Sequence, residues 1–261
     1  MKAKVLVLGG STQARDLCCA LRQRGEEDVI LSLAGATQEP ETHGIAYRRG
    51  GFGGIEGLRA YLKKHTIAAV IDATHPYAQQ MKRHAAEACA SLNIARVACW
   101  RPAWTATPRD NWLRAKDSAT AARHVAENTA QWHCVFLSIG RRDMAYFQGI
   151  TCRWLIRVID EPTVLPGPTC TLVRARGPFS YEDERALLQT HLVSAVVSRN
   201  SGGDMTRAKI DAARDLGLSV VMIDAPPKPQ PPTVVSTAEA MAWLDSQGLG
   251  QRPNSGGGMK A

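Results

Sequence analysis

The stretch that most constrains this chain is Val5-Leu6-Val7-Leu8-Gly9-Gly10-Ser11-Thr12-Gln13-Ala14-Arg15. Four apolar residues in a row fit a parallel strand covered on both faces, because alternation is lost when neither face meets water. Gly9 and Gly10 then permit a tight turn and bring bare backbone close to a ligand. Ser11 or Thr12 is placed to cap a helix whose apolar side carries Ala14, Leu17, Cys18 and Leu21. A helix start behind a glycine turn presents unpaired N–H groups and the positive end of the helix dipole, which suits phosphate. The third glycine of G-x-G-x-x-G is displaced by Thr12-Gln13-Ala14. The stretch therefore reads either as a nucleotide site or as a plain strand–turn–helix.

The same alternation continues along the first half. Val29 to Leu33 is the second strand, leaving through Ala34-Gly35-Ala36-Thr37. A carboxylate near this exit would grip the ribose hydroxyls of NAD; none is present, which leans toward NADP or toward no dinucleotide. His43 to Arg49 is a short strand ending in Arg48-Arg49, followed by Gly50-Gly51-Phe52-Gly53-Gly54 and a helix from Ile55 to Lys64. Two arginines beside free backbone N–H groups favour an anion-binding loop over a flexible surface loop. Ala68 to Asp72 is a buried strand that exits as Ala73-Thr74-His75-Pro76-Tyr77. Polar groups past the carboxyl end of a parallel strand face the ligand crevice, so His75 is balanced between a structural and a functional role. A helix from Ala78 to Leu92 and a strand from Ile94 to Ala98 follow.

Trp100 to Trp112 breaks both periodicities, with Pro102 and Pro108 marking a crossover between domains and the tryptophans read as packing there. The second half alternates again. Strands are expected at Cys134–Ile139, Trp154–Val158, Cys170–Arg174, Ala195–Ser198 and Ser219–Ile223. Helices are expected at Ala119–Asn128, after Ser180, at Thr206–Leu216 and at Ala238–Leu244. The fold class is α/β with parallel sheets. The domains run 1–100 and 113–247, ahead of a disordered tail at 248–261. Glycine, serine and arginine collect past strand ends in both halves, at Gly140-Arg141 and Arg199-Asn200-Ser201-Gly202 in the second, and such loops would converge if the halves faced one another across a cleft.

Composition narrows the partners. The net charge of +8 favours an anionic ligand, either nucleic acid or a small multiply charged molecule. Lysine and arginine are scattered, aromatics are 6%, and no nucleic-acid-binding signature appears, so no nucleic-acid partner is expected. The seven cysteines form no C-x-x-C and are odd in number, which reads as free buried thiols rather than disulfides or metal ligands. No apolar run is long enough for a bilayer, and Gln13, Arg15 and Asp16 end the opening run too early for a signal peptide; a cytoplasmic protein is expected. G-x-x-x-x-G-K-[ST], G-x-S-x-G and H-E-x-x-H are all absent, and no metal site is expected. Tyr-x-x-x-Lys is absent too, His65 standing where Tyr61 would need its lysine. That leaves room for hydride transfer to a carbon–carbon or carbon–nitrogen double bond.

Eight segments in order resemble the precorrin-6A reductase family of cobalamin biosynthesis. They are Leu8-Gly9-Gly10-Ser11-Thr12, Ser32-Leu33-Ala34-Gly35, Gly50-Gly51-Phe52-Gly53-Gly54, Asp72-Ala73-Thr74-His75-Pro76-Tyr77-Ala78, Arg101-Pro102-Ala103-Trp104, Ile139-Gly140-Arg141, Gly177-Pro178-Phe179 and Asn200-Ser201-Gly202-Gly203. Two positions depart from the family: Ala36 stands where relatives often carry arginine, and Arg199 where they often carry lysine. The resemblance implies two Rossmann-like domains with parallel sheets facing each other across a cleft. It also implies NADPH-dependent reduction of a double bond in precorrin-6A to give precorrin-6B. The alternatives are a non-enzymatic nucleotide- or polyanion-binding module, or another NADP-dependent reductase on the same fold.

On that resemblance, Gly9, Gly10, Ser11 and Thr12 hold the cofactor pyrophosphate, and Ser32 and Gly35 lie near the adenosine ribose. Thr37, Arg48 or Arg49 takes the 2′-phosphate in place of the arginine missing at Ala36. Gly51, Gly53, Thr74 and His75 shape the nicotinamide end. Arg141, Arg199, Asn200, Ser201 and Gly202 of the second domain reach cofactor or substrate carboxylates. The partner is the anionic tetrapyrrole, with no membrane contact and a monomer favoured. No protein acid or base is assigned, because a conjugated macrocycle delocalises charge.

Overall fold

Apolar runs that each leave through a small-residue turn into an amphipathic helix are satisfied by parallel strands with helices covering both faces. The computed structural model, which describes residues 4–26, 28–35 and 44–249, has that arrangement twice. The chain runs β1 (Lys4–Leu8), α1 (Thr12–Gln23), β2 (Val29–Leu33), β3 (Ala46–Arg49), α2 (Gly54–Lys64), β4 (Ile67–Asp72), α3 (Gln79–Ser91) and β5 (Ala95–Cys99). It continues through β6 (Asn111–Ala115), α4 (Ser118–Glu127), β7 (Cys134–Ser138), a 3-10 helix (Arg141–Phe147), β8 (Arg153–Val158), β9 (Cys170–Arg174), α5 (Tyr181–Thr190), β10 (Ala195–Arg199), α6 (Ala208–Asp215) and β11 (Ser219–Ile223). It closes with β12 (Thr233–Val234) and α7 (Thr237–Ser246).

The strands form two six-stranded sheets, ordered β12-β5-β4-β1-β2-β3 and β6-β11-β10-β7-β8-β9, and every pairing is parallel. The orders are equivalent. Each sheet grows outward from a central strand, β1 or β7, for three strands, then returns to the strand's other side. This is the doubly wound Rossmann-like pattern, and it creates a switch point between β1 and β4 in one unit and between β7 and β10 in the other.

The sixth strand of each sheet arrives from an unexpected part of the chain. One unit comprises residues 1–100 and 228–261, the other 101–227. The second domain therefore does not extend to 247: β12 and α7 return to the first. The physical reason is core formation. Val234, Ala240 and Leu244 are buried in one cluster with Val5, Val7, Leu17, Leu21, Ile71 and Val97. The backbone N–H groups of Ala98 and Trp100 donate to Pro232 and Val234 oxygens at 3.0 and 2.8 Å. Strand β6 begins inside the stretch read as an aperiodic crossover and runs three residues beyond it; Ala115 is its only buried residue, which hides it. Trp104, read as packing between domains, is buried in the second unit's own core with Phe136, Leu155 and Ile210. Residues 250–261 of the expected tail lie outside the described residues.

None of the seven cysteines forms a disulfide; Cys18, Cys89, Cys99 and Cys134 are buried while Cys19, Cys152 and Cys170 are half-buried, and burial pushes the Cys18 and Cys89 thiols up to about 12. Among the described residues no helix is long and apolar enough to cross a membrane.

Truncating Leu244 to alanine is expected to cost about 2–5 kcal/mol, the range for a large-to-small change in a core. Hydrogen exchange should show protection lost in β1 and α1 and kept in β7; loss confined to β7–β10 would place α7 with the other unit instead.

Candidate functional site

At the first switch point the sequence motif becomes a specific turn. A side chain at Gly9 would come within 2.6 Å of Leu31 Cδ1, so only glycine lets the turn close on β2, and its N–H donates to Ser32 O at 2.8 Å. Gly10 has φ +107° with no atom within 4 Å of where a Cβ would stand, leaving open backbone. Ser11, rather than Thr12, is the helix cap: its Oγ accepts from the Ala14 N–H at 3.2 Å. The same hydroxyl donates to Ala73 O at 2.6 Å, tying the β1 exit to the β4 exit. Thr12 is the first residue of α1. Ala14, where the usual fingerprint has its third glycine, is buried, and its small side chain serves the same close packing.

The β2 exit lies beside this turn. Ser32 is buried and its Oγ accepts from Arg48 Nη1 at 2.8 Å. Arg49 pairs in register with Leu33, and its exposed side chain passes over Gly35: Nη2 donates to Gly35 O at 3.4 Å, and Nε would stand 3.5 Å from a Cβ at Gly35. Of the two described candidates for the 2′-phosphate, Arg49 lies exposed over this exit and Arg48 turns to the glycine loop. Thr37, like Ala36, lies outside the described residues. Gly53 and Gly54 take positive φ at the start of α2, and Gly51 beside them meets only the Gly53 nitrogen, at 4.0 Å.

The β4 exit carries a cluster that sequence reasoning missed. Asp72 is fully buried, and its Oδ1 accepts from the Thr74 N–H at 3.1 Å and the Thr74 hydroxyl at 2.6 Å. Lys82 of α3, also buried, lies 3.4 Å from the same oxygen and donates to Thr74 O at 3.4 Å. The Thr74 side chain is thus engaged inside the fold, and its backbone is held through both N–H and C=O. The available signal was a lysine early in the helix that follows a strand ending in aspartate. His75 is half-buried, and its Nδ1 accepts from the Tyr77 N–H at 3.3 Å, which assigns the proton of the neutral ring to Nε2.

At the second switch point all five expected residues collect, with different duties. Asn200 is buried and clamps the backbone of Trp104, accepting from its N–H at 2.7 Å and donating to its C=O at 2.9 Å. Gly202 has φ +65°, and a Cβ there would stand 2.3 Å from Pro102 O. Both residue types are accounted for by the crossover segment packed on them. Arg199 donates to Asp143, which also accepts from Ser118 Oγ at 2.5 Å. Gly140 makes room for the Arg199 guanidinium, 3.2 Å from its missing Cβ. Ser201 Oγ lies 3.4 Å from Thr206 Oγ1, and Arg141 is exposed at the start of the 3-10 helix. Below them Lys209 is buried with its Nζ donating to Thr206 O at 2.7 Å; burial pushes its ammonium down to about 8 against the opposing pull of Glu184. No group of three or more potential metal ligands occurs among the described residues.

The family model described as "Precorrin-6x reductase CbiJ/CobK" matches residues 4–245. The chain is 41% identical over 243 residues to a precorrin-6A reductase of Rhodococcus erythropolis, covering 92% of this chain and 97% of that one. It is 42% identical over 244 residues to a precorrin-6A reductase of Mycobacterium tuberculosis, covering 92% and 97%. Among solved structures, one described as "CobK precorrin-6A reductase" superposes with a TM-score of 0.84 at 38% identity, covering 94% of this chain and 97% of that one.

Replacing Lys82 with methionine leaves the Asp72 carboxylate buried and uncompensated, and urea unfolding should show a loss of about 3–5 kcal/mol. Pairing it with Asp72→Asn should restore much of that stability; a double variant no better than the single one would mean that the pair does not act as a unit.

Proposed function

The chain belongs to the precorrin-6x reductase family, CbiJ/CobK, and on that premise we propose that it reduces one double bond of precorrin-6A with hydride from NADPH, giving precorrin-6B. The observation that carries the cofactor reading is the first switch point. Open backbone at Gly10 stands ahead of the capped α1, and the neighbouring β2 exit, Ser32 to Gly35, offers arginine and no carboxylate. A Cβ at Gly10 would fill the space that a pyrophosphate needs. The N–H groups opening α1 supply donors and the favourable end of the dipole.

In this reading Gly9 sets the turn, Gly10 and Thr12 present backbone to the pyrophosphate, and Ser11 holds the β1 and β4 exits together beneath it. Ser32 and Gly35 line the ribose, and Arg49 supplies the guanidinium for the 2′-phosphate, the role that the arginine absent at Ala36 would otherwise take. Gly51, Gly53, Thr74 and His75 shape the nicotinamide end. The bound cofactor supplies hydride; the chain's own part is orientation and exclusion of water. Arg141, Arg199 and Ser201 supply polar and cationic groups for the substrate's carboxylates, consistent with the net charge of +8. No residue is assigned as proton donor, since the macrocycle spreads the charge that hydride leaves behind.

The test is fluorescence titration with NADPH and NADH at two salt concentrations, followed by turnover of precorrin-6A monitored through loss of nicotinamide absorbance. Saturable NADPH-selective binding with turnover is expected. Weak, equal binding abolished by salt would sink the cofactor reading. Arg49→Ala should weaken NADPH by about 10- to 100-fold, the worth of one charge-assisted hydrogen bond, with NADH unchanged. Equal weakening of both would place Arg49 away from the 2′-phosphate.

A further inference from the structure

Arg48 and Arg49 are neighbours on β3 with opposite dispositions, as strand alternation requires. Arg48 Nη1 donates to Ser32 Oγ and to Gly50 O, and Nη2 donates to Gly51 O, each at 2.8 Å. Its guanidinium carbon also stands 4.0 Å over the centre of the Phe52 ring and 5.3 Å from that of Tyr61. Phe52 meets Tyr61 edge-on at 5.2 Å. The other side of Phe52 is set by a glycine whose need sequence reasoning missed: a Cβ at Gly57 would stand 1.6 Å from Phe52 O. Gly57 therefore leaves α2 bare where that carbonyl lies. The centre of the loop is held by hydrogen bonds, a stacked cation and a close helix contact. Its flanks are empty, since nothing lies within 4 Å of a Cβ at Gly50, Gly53 or Gly54. A fixed centre with bare flanks is the form of a ligand platform rather than of a packed turn.

The second unit has a related contact on the equivalent connection, from β9 to α5, but its arginine comes from β8, the strand that corresponds to β2. There Arg157 stands 3.8 Å over Phe179, ahead of α5, and Gly177 admits the ring, 3.2 Å from its missing Cβ. Arg157 is held by the fully buried Glu184 through two bonds of 2.6 and 2.9 Å, whereas Arg48 spends its donors on a hydroxyl and two loop carbonyls. A sheet-borne arginine thus stands over a phenylalanine of the equivalent connection in both units, from non-equivalent strands.

We infer that Arg48 is a positioning residue for cofactor binding: it joins the β2 exit to the Gly50–Gly54 loop and holds both in binding geometry through Ser32, Gly50, Gly51 and Phe52. This deepens the proposed NADPH site and rests on it. Lysine cannot substitute, because a point ammonium bridges fewer acceptors in a plane and does not stack as a flat guanidinium does.

The experiment uses the full chain as wild type, Arg48→Lys and Phe52→Leu, measuring NADPH affinity by fluorescence, KM and kcat with precorrin-6A, and urea unfolding. Arg48→Lys should raise the NADPH Kd and KM about tenfold, leave kcat at saturating cofactor within about twofold, and leave the KM for precorrin-6A unchanged. Phe52→Leu keeps every hydrogen bond of Arg48 and should move the same constants in the same direction by less. Unchanged NADPH affinity in Arg48→Lys overturns the inference, as does a loss shared equally by NADPH and precorrin-6A. A wild type that fails to bind NADPH overturns the cofactor reading and this inference with it. If Arg48→Lys does not fold, Phe52→Leu decides by the same criterion.

Discussion

Two neighbouring parallel strands whose connections leave on opposite sides of a sheet cannot cover the gap between their own carboxyl ends. That constraint, met between β1 and β4, organises the first unit. The Ser11 hydroxyl bridges the gap, capping α1 through one interaction and reaching Ala73 O through another, beside the Ala73 N–H that donates to Leu8 O at 2.9 Å. Backbone on either side of the bridge is then held without filling the crevice with side chains. Gly9 is consumed by packing on Leu31, which frees Gly10 to remain open. Beneath the bridge the fully buried Asp72, with Lys82 as counter-charge, fixes Thr74 by its hydroxyl and by both backbone polar groups. Burying such a pair is costly unless its remaining hydrogen bonds are made, so geometry at this exit is tightly set.

The second unit solves the same topological problem with other residues. Asn200 uses both ends of its amide on the backbone of Trp104, so the crossover segment that enters the unit is fastened to the β10 exit. Gly202 and Gly203 lie against Pro102 and Arg101 for the same reason. Much of what reads as a polar ligand loop is therefore the internal fastening of that loop. Arg199 is in turn held to Asp143, Ser201 lies beside Thr206, and Arg141 is exposed at the start of the 3-10 helix.

The alternation of strand and helix, the parallel sheets and the switch-point loops were legible because each rests on local pattern. Apolar runs, caps and glycine turns are encoded within about a dozen residues, the span of one strand–turn–helix. The turn at Gly9-Gly10 and the cap at Ser11 followed from that local pattern, while the family rested on the resemblance of eight segments in order. Less legible were the residues whose partners are remote in sequence. Asp72 and Lys82 lie ten positions apart on different elements, and Arg48 looks the same as Arg49 until the register with Ser32 and Leu33 is known. Strand β6 is an edge strand with one fully buried residue, so its polar sequence hides it.

What the sequence by itself determined is the class of the elements other than the edge strands β6 and β12, and the residue content of each exit loop, since these depend on short-range sterics, capping and charge. What only the tertiary structure decided is membership and duty. It sends β12 and α7 back to the first unit, because the core around Val5, Leu17 and Leu21 needs Val234, Ala240 and Leu244 to close it. It also separates the residues that hold a loop from those left open to a ligand. Burial and hydrogen-bond partnership are properties of the folded neighbourhood, and no stretch of chain carries its neighbours' addresses.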